Sequence, residues 1–397
     1  MGSDTLIFWK PKGLNHSDIA MRILSIFGTR PEAIKMAPVV RQLAATPGIE
    51  SLVCVTAQHR QMLDQVLQLF QITPDVDLDI MRPDQSLAEL TANLFTRLDP
   101  VLRDIHPDWV LIQGDTTTVM AAALLAYYHR IKIGHVEAGL RTHNKWQPFP
   151  EEINRRVAGV AADLHFAPTD WARQNLLNEG VPPEQIILTG NPVIDALQTV
   201  AGLPPSAELE SLLEKLGLPD EIPLRSPRLV LVTAHRRENF GEPLENICSA
   251  LRSLAEHYGD TIRIIYPVHL NPNVQGIVNQ RLGGVPNINL LNPLDYLPLV
   301  QLIRRATLVL TDSGGLQEEA PGLGVPVLVL RQVTERPEGI QAGAVRLVGT
   351  DTGTIVRETL RLLDDPDAYQ QMAKAVNPYG DGHAARRIVQ ALLDYPA

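Results

Sequence analysis

From Met21 onward, short β-branched or aliphatic runs alternate with longer stretches whose apolar residues recur at helical spacing. Strands are predicted at 23–27, 51–56, 109–113, 133–137 and 164–167, with helices between them at 33–45, 60–70, 87–105, 116–129 and 151–161. Such a βα series calls for a parallel sheet covered by helices on both faces, an α/β fold. The pattern pauses from about residue 190 to residue 227, where a helix-like stretch at 193–200 precedes a Pro-, Glu- and Leu-rich segment without a strand. A second series follows, with strands at 229–233, 262–266, 288–290, 308–311, 327–330 and 344–348. A length of 397 residues fits two domains at roughly 100–200 residues each. Two such halves imply a cleft, and ligands of open parallel sheets sit at the carboxyl ends of the strands. Each motif is therefore weighed by whether it follows a strand.

Composition narrows the partners. Acidic residues outnumber basic ones, 45 against 35, and the net charge of −10 repels nucleic acid and anionic lipid as a whole. A local cationic pocket for a small anion is still compatible with that sign. No apolar run approaches the roughly 18 residues that cross a bilayer, and Leu6–Trp9 is too short for a signal-peptide core. Residues 1–20 read as a tail or an alternative start, and the expected location is the cytoplasm. Cys54 and Cys248 each sit in an apolar run and read as buried thiols rather than a disulfide.

Five segments lie at the ends of predicted strands, and a sixth opens a helix behind a proline-rich loop. Gly28-Thr-Arg-Pro-Glu32 allows a tight turn into a helix whose first N–H groups face an anion, with Arg30 and Lys35 adding charge. In Gln113-Gly-Asp-Thr-Thr-Thr118, Asp115 reads as a helix cap or as a catalytic acid. His135-Val-Glu-Ala-Gly-Leu-Arg141 ends a strand with Glu137, which has little capping rationale and is the better catalytic candidate. Pro148-Phe-Pro-Glu151-Glu152 opens a helix with two acids, one of which is expected to serve only the helix dipole. Thr233-Ala-His-Arg-Arg-Glu-Asn239 places His235 in a cationic cluster at the first strand end of the second half. In Thr311-Asp-Ser-Gly-Gly-Leu-Gln-Glu-Glu319, Ser313, Gly314 and Gly315 offer a diphosphate seat and Glu319 can hold a ribose diol, with Arg336 further on. Eleven histidines without an HExxH pair and only two cysteines give no metal-site pattern, and no Gly-x-Ser-x-Gly elbow is present.

Together, GTRPEAIKMAP, TAQHRQMLDQ, GDTTT, GHVEAGLRT, PEEINR, TAHRREN, YPVHLNPNV, DSGGLQEEAP and TERPE, in this order, resemble the bacterial non-hydrolysing UDP-N-acetylglucosamine 2-epimerases. The resemblance runs from about Met21 to the Asn377–His383 segment. It implies two Rossmann-like domains in a glycosyltransferase-B-like arrangement, with the active site in the interdomain cleft. The implied division is a tail at 1–20, a sugar-side domain at 21–190, a UDP-binding domain at 191–376 and a closing helix at 377–397 that crosses back to the first. The implied reaction interconverts UDP-N-acetylglucosamine and UDP-N-acetylmannosamine through UDP elimination and re-addition, with neither a cofactor nor a metal. By resemblance, Asp115, Glu137, Glu151 and His235 are catalytic. Arg30, Lys35, Leu294, Leu299, Ser313, Gly314, Gly315, Glu319 and Arg336 would contact the UDP-sugar, Leu299 without the ring stacking that a Phe there would give. Gln58, His59, Gln61 and His269 match a region where substrate activates some relatives. A homodimer feeding surface-polysaccharide synthesis is also implied. The alternatives are a hydrolysing epimerase or a retaining glycosyltransferase of the same fold, and, outside enzymes, a UDP-sugar-binding regulator.

Overall fold

The computed structural model describes residues 20–56, 60–82, 85–218, 227–334 and 336–396. Gln58 and His59 lie outside the described residues. The chain divides into two compact units, one running to Ala196 and resuming at Gly380, the other spanning Leu197–Tyr379.

In the first unit β1 (Met21–Phe27), β2 (Ile49–Val55), β3 (Val76–Asp77), β4 (Trp109–Gln113), β5 (Lys132–Val136), β6 (Leu164–Ala167) and β7 (Ile186–Leu188) form one sheet in the order β3-β2-β1-β4-β5-β6-β7. All its pairings are parallel. In the second, β8 (Arg228–Thr233), β9 (Ile262–Pro267), β10 (Ile288–Leu291), β11 (Leu308–Thr311), β12 (Val327–Val329) and β13 (Val345–Leu347) are ordered β10-β9-β8-β11-β12-β13, again all parallel. The strands β3 and β7 were not among those predicted. They are two and three residues long at the sheet edges, too short for a periodic signal.

Successive strand residues feed opposite faces, as the pleat requires. On β8, Val230 and Val232 enter one core cluster while Leu229 and Leu231 enter the other. β11 divides the same way, with Leu308 and Leu310 opposed to Val309. Both faces of the second sheet are therefore buried, which explains its near-continuous aliphatic strands. Each sheet reverses its winding once, between β1 and β4 and between β8 and β11. There the two flanking turns splay apart and leave room for a ligand. Cys54 and Cys248 are free and buried, and burial raises both thiols, Cys248 to about 12. No helix among the described residues is long and apolar enough to cross a membrane.

The terminal helix Ala384–Leu393 belongs to the first unit and packs on the helix Arg30–Ala44. Its own N-cap, His383, makes no side-chain cap bond. Asp195 supplies one instead, accepting from Ala384 N at 3.2 Å and Ala385 N at 2.9 Å. Arg387 bonds Thr189 O at 3.0 Å, and Tyr395 meets the buried Trp109 edge-on at 4.9 Å. A Cβ on Gly380 would sit 3.4 Å from Asn191 N. These ties hold residues 189–195 and 380–387 together, so the unit boundaries fall a few residues beyond the joints expected at 190 and 377. Asp195→Ala is expected to cost about 1–2 kcal/mol, the worth of a helix cap. In a differential scan that is a fall of roughly 2–8 °C, and an unchanged midpoint would reject the capping role.

Candidate active site

The site-bearing segments of the first unit are turns at the carboxyl ends of β1, β4 and β5. After β1, Thr29 caps the helix Arg30–Ala44, and Glu32 closes a reciprocal capping box. Glu32 is buried and accepts from Gly28 N at 2.9 Å and Thr29 N at 2.7 Å. Those two N–H groups, expected to face an anion, are thus occupied by the chain's own carboxylate. The other oxygen of Glu32 accepts from Thr116 Oγ1 at 2.7 Å, tying this turn to the one after β4. Burial raises the Glu32 pKa against these bonds. Arg30, half-buried, is the first residue of the helix.

Lys35, one turn on, places Nζ 2.7 Å from both carboxylate oxygens of Glu137. Glu137 follows the last residue of β5 in a left-handed conformation, φ 62°. Its buried carboxylate also accepts from Gln113 Nε2 and, at 2.9 Å, from Asn191 Nδ2. Neither Gln113 nor Asn191 was singled out from the sequence. Asn191 lies 54 residues from its partner, and no local pattern reports such a contact.

Thr116, not Asp115, caps the helix Thr117–Tyr128, accepting from Val119 N. That leaves the Asp115 side chain available for chemistry. It pairs with Arg155, and its backbone carbonyl accepts from Asn154 Nδ2 at 3.0 Å. Burial raises the Asp115 pKa; Arg155 opposes this, Glu137 adds to it, Lys35 opposes it and Glu151 adds further. His135 Nε2 lies 2.7 Å from Gly114 O and holds the residue preceding Asp115. Burial pushes that imidazole down to about 3, so it stays neutral at working pH and positions rather than exchanges protons.

The two acids that open the helix Glu151–Ala161 differ in surroundings, and Glu152 does more than serve the helix dipole. Glu152 is fully buried and accepts from Thr142 N at 3.1 Å and His143 N at 3.2 Å, holding the preceding loop. Glu151 instead has a buried Oε2 with no hydrogen-bond partner among the described residues.

In the second unit Asp312 organises the turns after β8 and β11. It is fully buried, and its Oδ2 accepts from His235 N and Arg236 N at 2.8 Å and from Asn239 Nδ2 at 2.9 Å. The His235 ring stacks on that of His269, centroids 5.1 Å apart. His269, which the resemblance placed in the region where substrate activates some relatives, sits directly against the candidate catalytic histidine. Gln61 lies in the helix Arg60–Leu69 of the other unit.

Ser313 precedes the helix Gly314–Gly322 and makes no side-chain cap bond, leaving its hydroxyl uncommitted to the helix. A Cβ on Gly314 would lie 2.6 Å from Arg336 Nη1 and push that guanidinium aside, whereas Gly315 has ordinary room. Arg336 pairs with the buried Glu318, and Glu319 accepts from Tyr296 Oη at 2.9 Å. Leu294 and Leu299 flank Tyr296 and pack, partly buried, on the core cluster containing Leu302, Val309 and Leu316. No group of three or more His, Cys, Asp or Glu able to hold a metal ion occurs among the described residues.

Breaking a buried ion pair strands a charge, at about 3–5 kcal/mol. Lys35→Met is expected to lower the urea midpoint accordingly, and adding Glu137→Gln to recover most of the loss. A midpoint unchanged in Lys35→Met would reject the pair's structural weight.

Comparison with known proteins places the chain in a family. Residues 41–393 match the family model described as UDP-N-acetylglucosamine 2-epimerase. The chain is 54% identical over 377 residues to the UDP-N-acetylglucosamine 2-epimerase of Salmonella typhimurium, covering 94% of this chain and 99% of the relative. It is 51% identical over 373 residues to that of Bacillus subtilis, covering 94% and 95%. Among solved structures, the Neisseria meningitidis UDP-GlcNAc 2-epimerase bound to UDP-GlcNAc is similar, with a TM-score of 0.84, 48% identity, and coverage of 94% of this chain and 100% of that one. The α/β fold is of the glycosyltransferase-B-like class that such epimerases share. With its family model, sequence relatives and carboxylate-lined strand ends all in accord, the chain belongs to the UDP-N-acetylglucosamine 2-epimerase family.

Proposed function

We propose that this enzyme interconverts UDP-N-acetylglucosamine and UDP-N-acetylmannosamine by the non-hydrolysing route. The observation that carries the reading is the carboxylate set of the first unit: Glu137 and Glu151 both act electrostatically on Asp115, with Lys35 on Glu137 and Arg155 on Asp115. A pure binder of an anionic ligand has no use for such a set, and simple glycosyl transfer needs no pair of bases at C2.

In the proposed reaction a carboxylate takes the C2 proton as the C1–O bond to UDP breaks. The C–H electron pair becomes the C1=C2 bond of a 2-acetamidoglucal, and UDP departs with the C–O pair. Re-addition of UDP at C1 with protonation of C2 from the other face completes the inversion, which is why more than one acid–base group is needed. Lys35 holds Glu137 ionised and in place. Arg155 pairs with Asp115 and opposes the rise that burial imposes on its pKa. His235, Arg336, Ser313, Gly314 and Gly315 stabilise the diphosphate, Glu319 takes the ribose, and Leu294 and Leu299 border the base. Arg30 faces the sugar and phosphates. The solved relative bound to UDP-GlcNAc supports this choice of substrate.

Each domain takes one part of the substrate: residues 21–190 serve the sugar and 191–376 the UDP. The enzyme works in the cytoplasm as a homodimer, for which the exposed Tyr127, Tyr128 and Val160 of the first unit offer apolar contact area. Substrate activates it through the region of Gln58, His59, Gln61 and His269, and its product supplies surface-polysaccharide synthesis.

Proton NMR of UDP-N-acetylglucosamine incubated with the enzyme in deuterium oxide tests the reaction. The expected result is a gluco and manno UDP-sugar mixture with deuterium at C2. Free N-acetylmannosamine as sole product, or an unchanged substrate, would overturn it. Glu137→Gln and Asp115→Asn are each expected to lower turnover about 100-fold or more, with UDP affinity kept within about threefold. Wild-type turnover in either would remove that residue from the mechanism.

A further inference from the structure

Asp312 has a second carboxylate oxygen that its turn-holding role does not use. While Oδ2 accepts three donors, Oδ1 is buried and has no hydrogen-bond partner among the described residues. His235 Nδ1 stands 3.7 Å from it. A buried carboxylate oxygen without a donor is costly and calls for an explanation. The imidazole is the group placed to supply one, through a small ring movement, because the His235 side chain is 36% exposed and therefore free to adjust.

We propose that Asp312 is a positioning residue for His235: Oδ1 receives the Nδ1–H of the imidazole, fixing the ring and directing Nε2 at the leaving diphosphate. This rests on the reading of His235 as the group that meets the departing UDP. A carboxylate behind an imidazole selects the tautomer and favours the cationic ring, which then opposes charge developing on the leaving phosphate.

The remaining surroundings of the ring oppose its charge. Burial disfavours the imidazolium first; Asp312 counters this, while the stacked His269 and the neighbouring Arg236 disfavour it again. His269 Nδ1 itself accepts from Asn271 N at 3.1 Å, which leaves any proton of the neutral His269 ring on Nε2. Among the charged groups facing His235, Asp312 is thus the one that raises its proton affinity.

Asp312→Asn tests the assignment. Three donors claim the Oδ2 position, so the amide oxygen must go there and its NH₂ must face Nδ1, making that atom an acceptor. The His235 ring is then expected to titrate at least one pH unit lower by ¹H–¹³C NMR. Turnover at pH 8 is expected to fall about 30-fold, with UDP affinity within threefold and a smaller deficit at pH 6, where more of the ring is protonated. In a His235→Asn background the same substitution is expected to change turnover less than twofold. An unmoved His235 titration, or losses that multiply in the double variant, would overturn the proposal by making Asp312 purely structural. In the unsubstituted enzyme with UDP bound, long-range ¹⁵N NMR should show the neutral ring protonated on Nδ1; protonation on Nε2 would also overturn it. Wild-type turnover in His235→Asn would instead overturn the catalytic reading of that histidine. The titration and tautomer results do not depend on turnover, so the two failures are distinguishable.

Discussion

A carboxylate withdrawn from water must be surrounded by donors, and in the first unit that requirement falls on Glu137. Three of its donors come from different places: Lys35 from the helix after β1, Gln113 from the end of β4 and Asn191 from the segment after β7. Leaving any of them out would strand part of a buried anion, at several kcal/mol if the cation is lost. The left-handed backbone at Glu137 adds a local strain that these bonds over-determine. The proposed catalytic geometry and the closure of this end of the sheet are therefore the same set of interactions.

Both units solve the reversal of strand order in the same way. At each reversal two turns face each other, and one buried acid ties them together. In the first unit Glu32, in the turn after β1, accepts from Thr116 in the turn after β4. In the second, Asp312, after β11, accepts from the backbone of residues 235 and 236 after β8. Neither acid has to meet substrate to matter. Glu32 commits its oxygens to backbone and hydroxyl donors, and Asp312 commits Oδ2 to backbone and amide donors, and so they hold their part-buried neighbours, Asp115 in one case and His235 in the other, at a defined separation from the sheet.

Much of this was legible in the sequence because parallel strands buried on both faces leave long aliphatic runs, and ligand-facing turns directly follow them. Asp115, Glu137, His235 and Ser313 stand out as candidates by that rule, whereas Glu151, at a helix start behind a proline-rich loop, is singled out only by the family resemblance. The short edge strands β3 and β7 were not, since two or three residues carry no periodicity. Nor were Gln113, Asn191, Tyr296 and Asp312 recognised as supports, because a side chain's partner across 23 to 77 residues is decided by topology and register rather than by spacing. The turn after β1 shows the converse: Glu32 sat in a quoted motif, yet its occupation of the Gly28 and Thr29 amides emerged only from the capping geometry.

The Asp195 cap joins residues 189 positions apart, and it does so within one unit. During synthesis the ribosome delivers the β1–β7 sheet first, then the whole of Leu197–Tyr379, and only afterwards the helix that packs on Arg30–Ala44. Until then that helix lacks this cover, and the amides of Ala384 and Ala385 have yet to reach Asp195. The second unit, contiguous in sequence, has no such wait. The half that begins first on the ribosome is accordingly the half that finishes last, and the burden of staying soluble while incomplete falls on it.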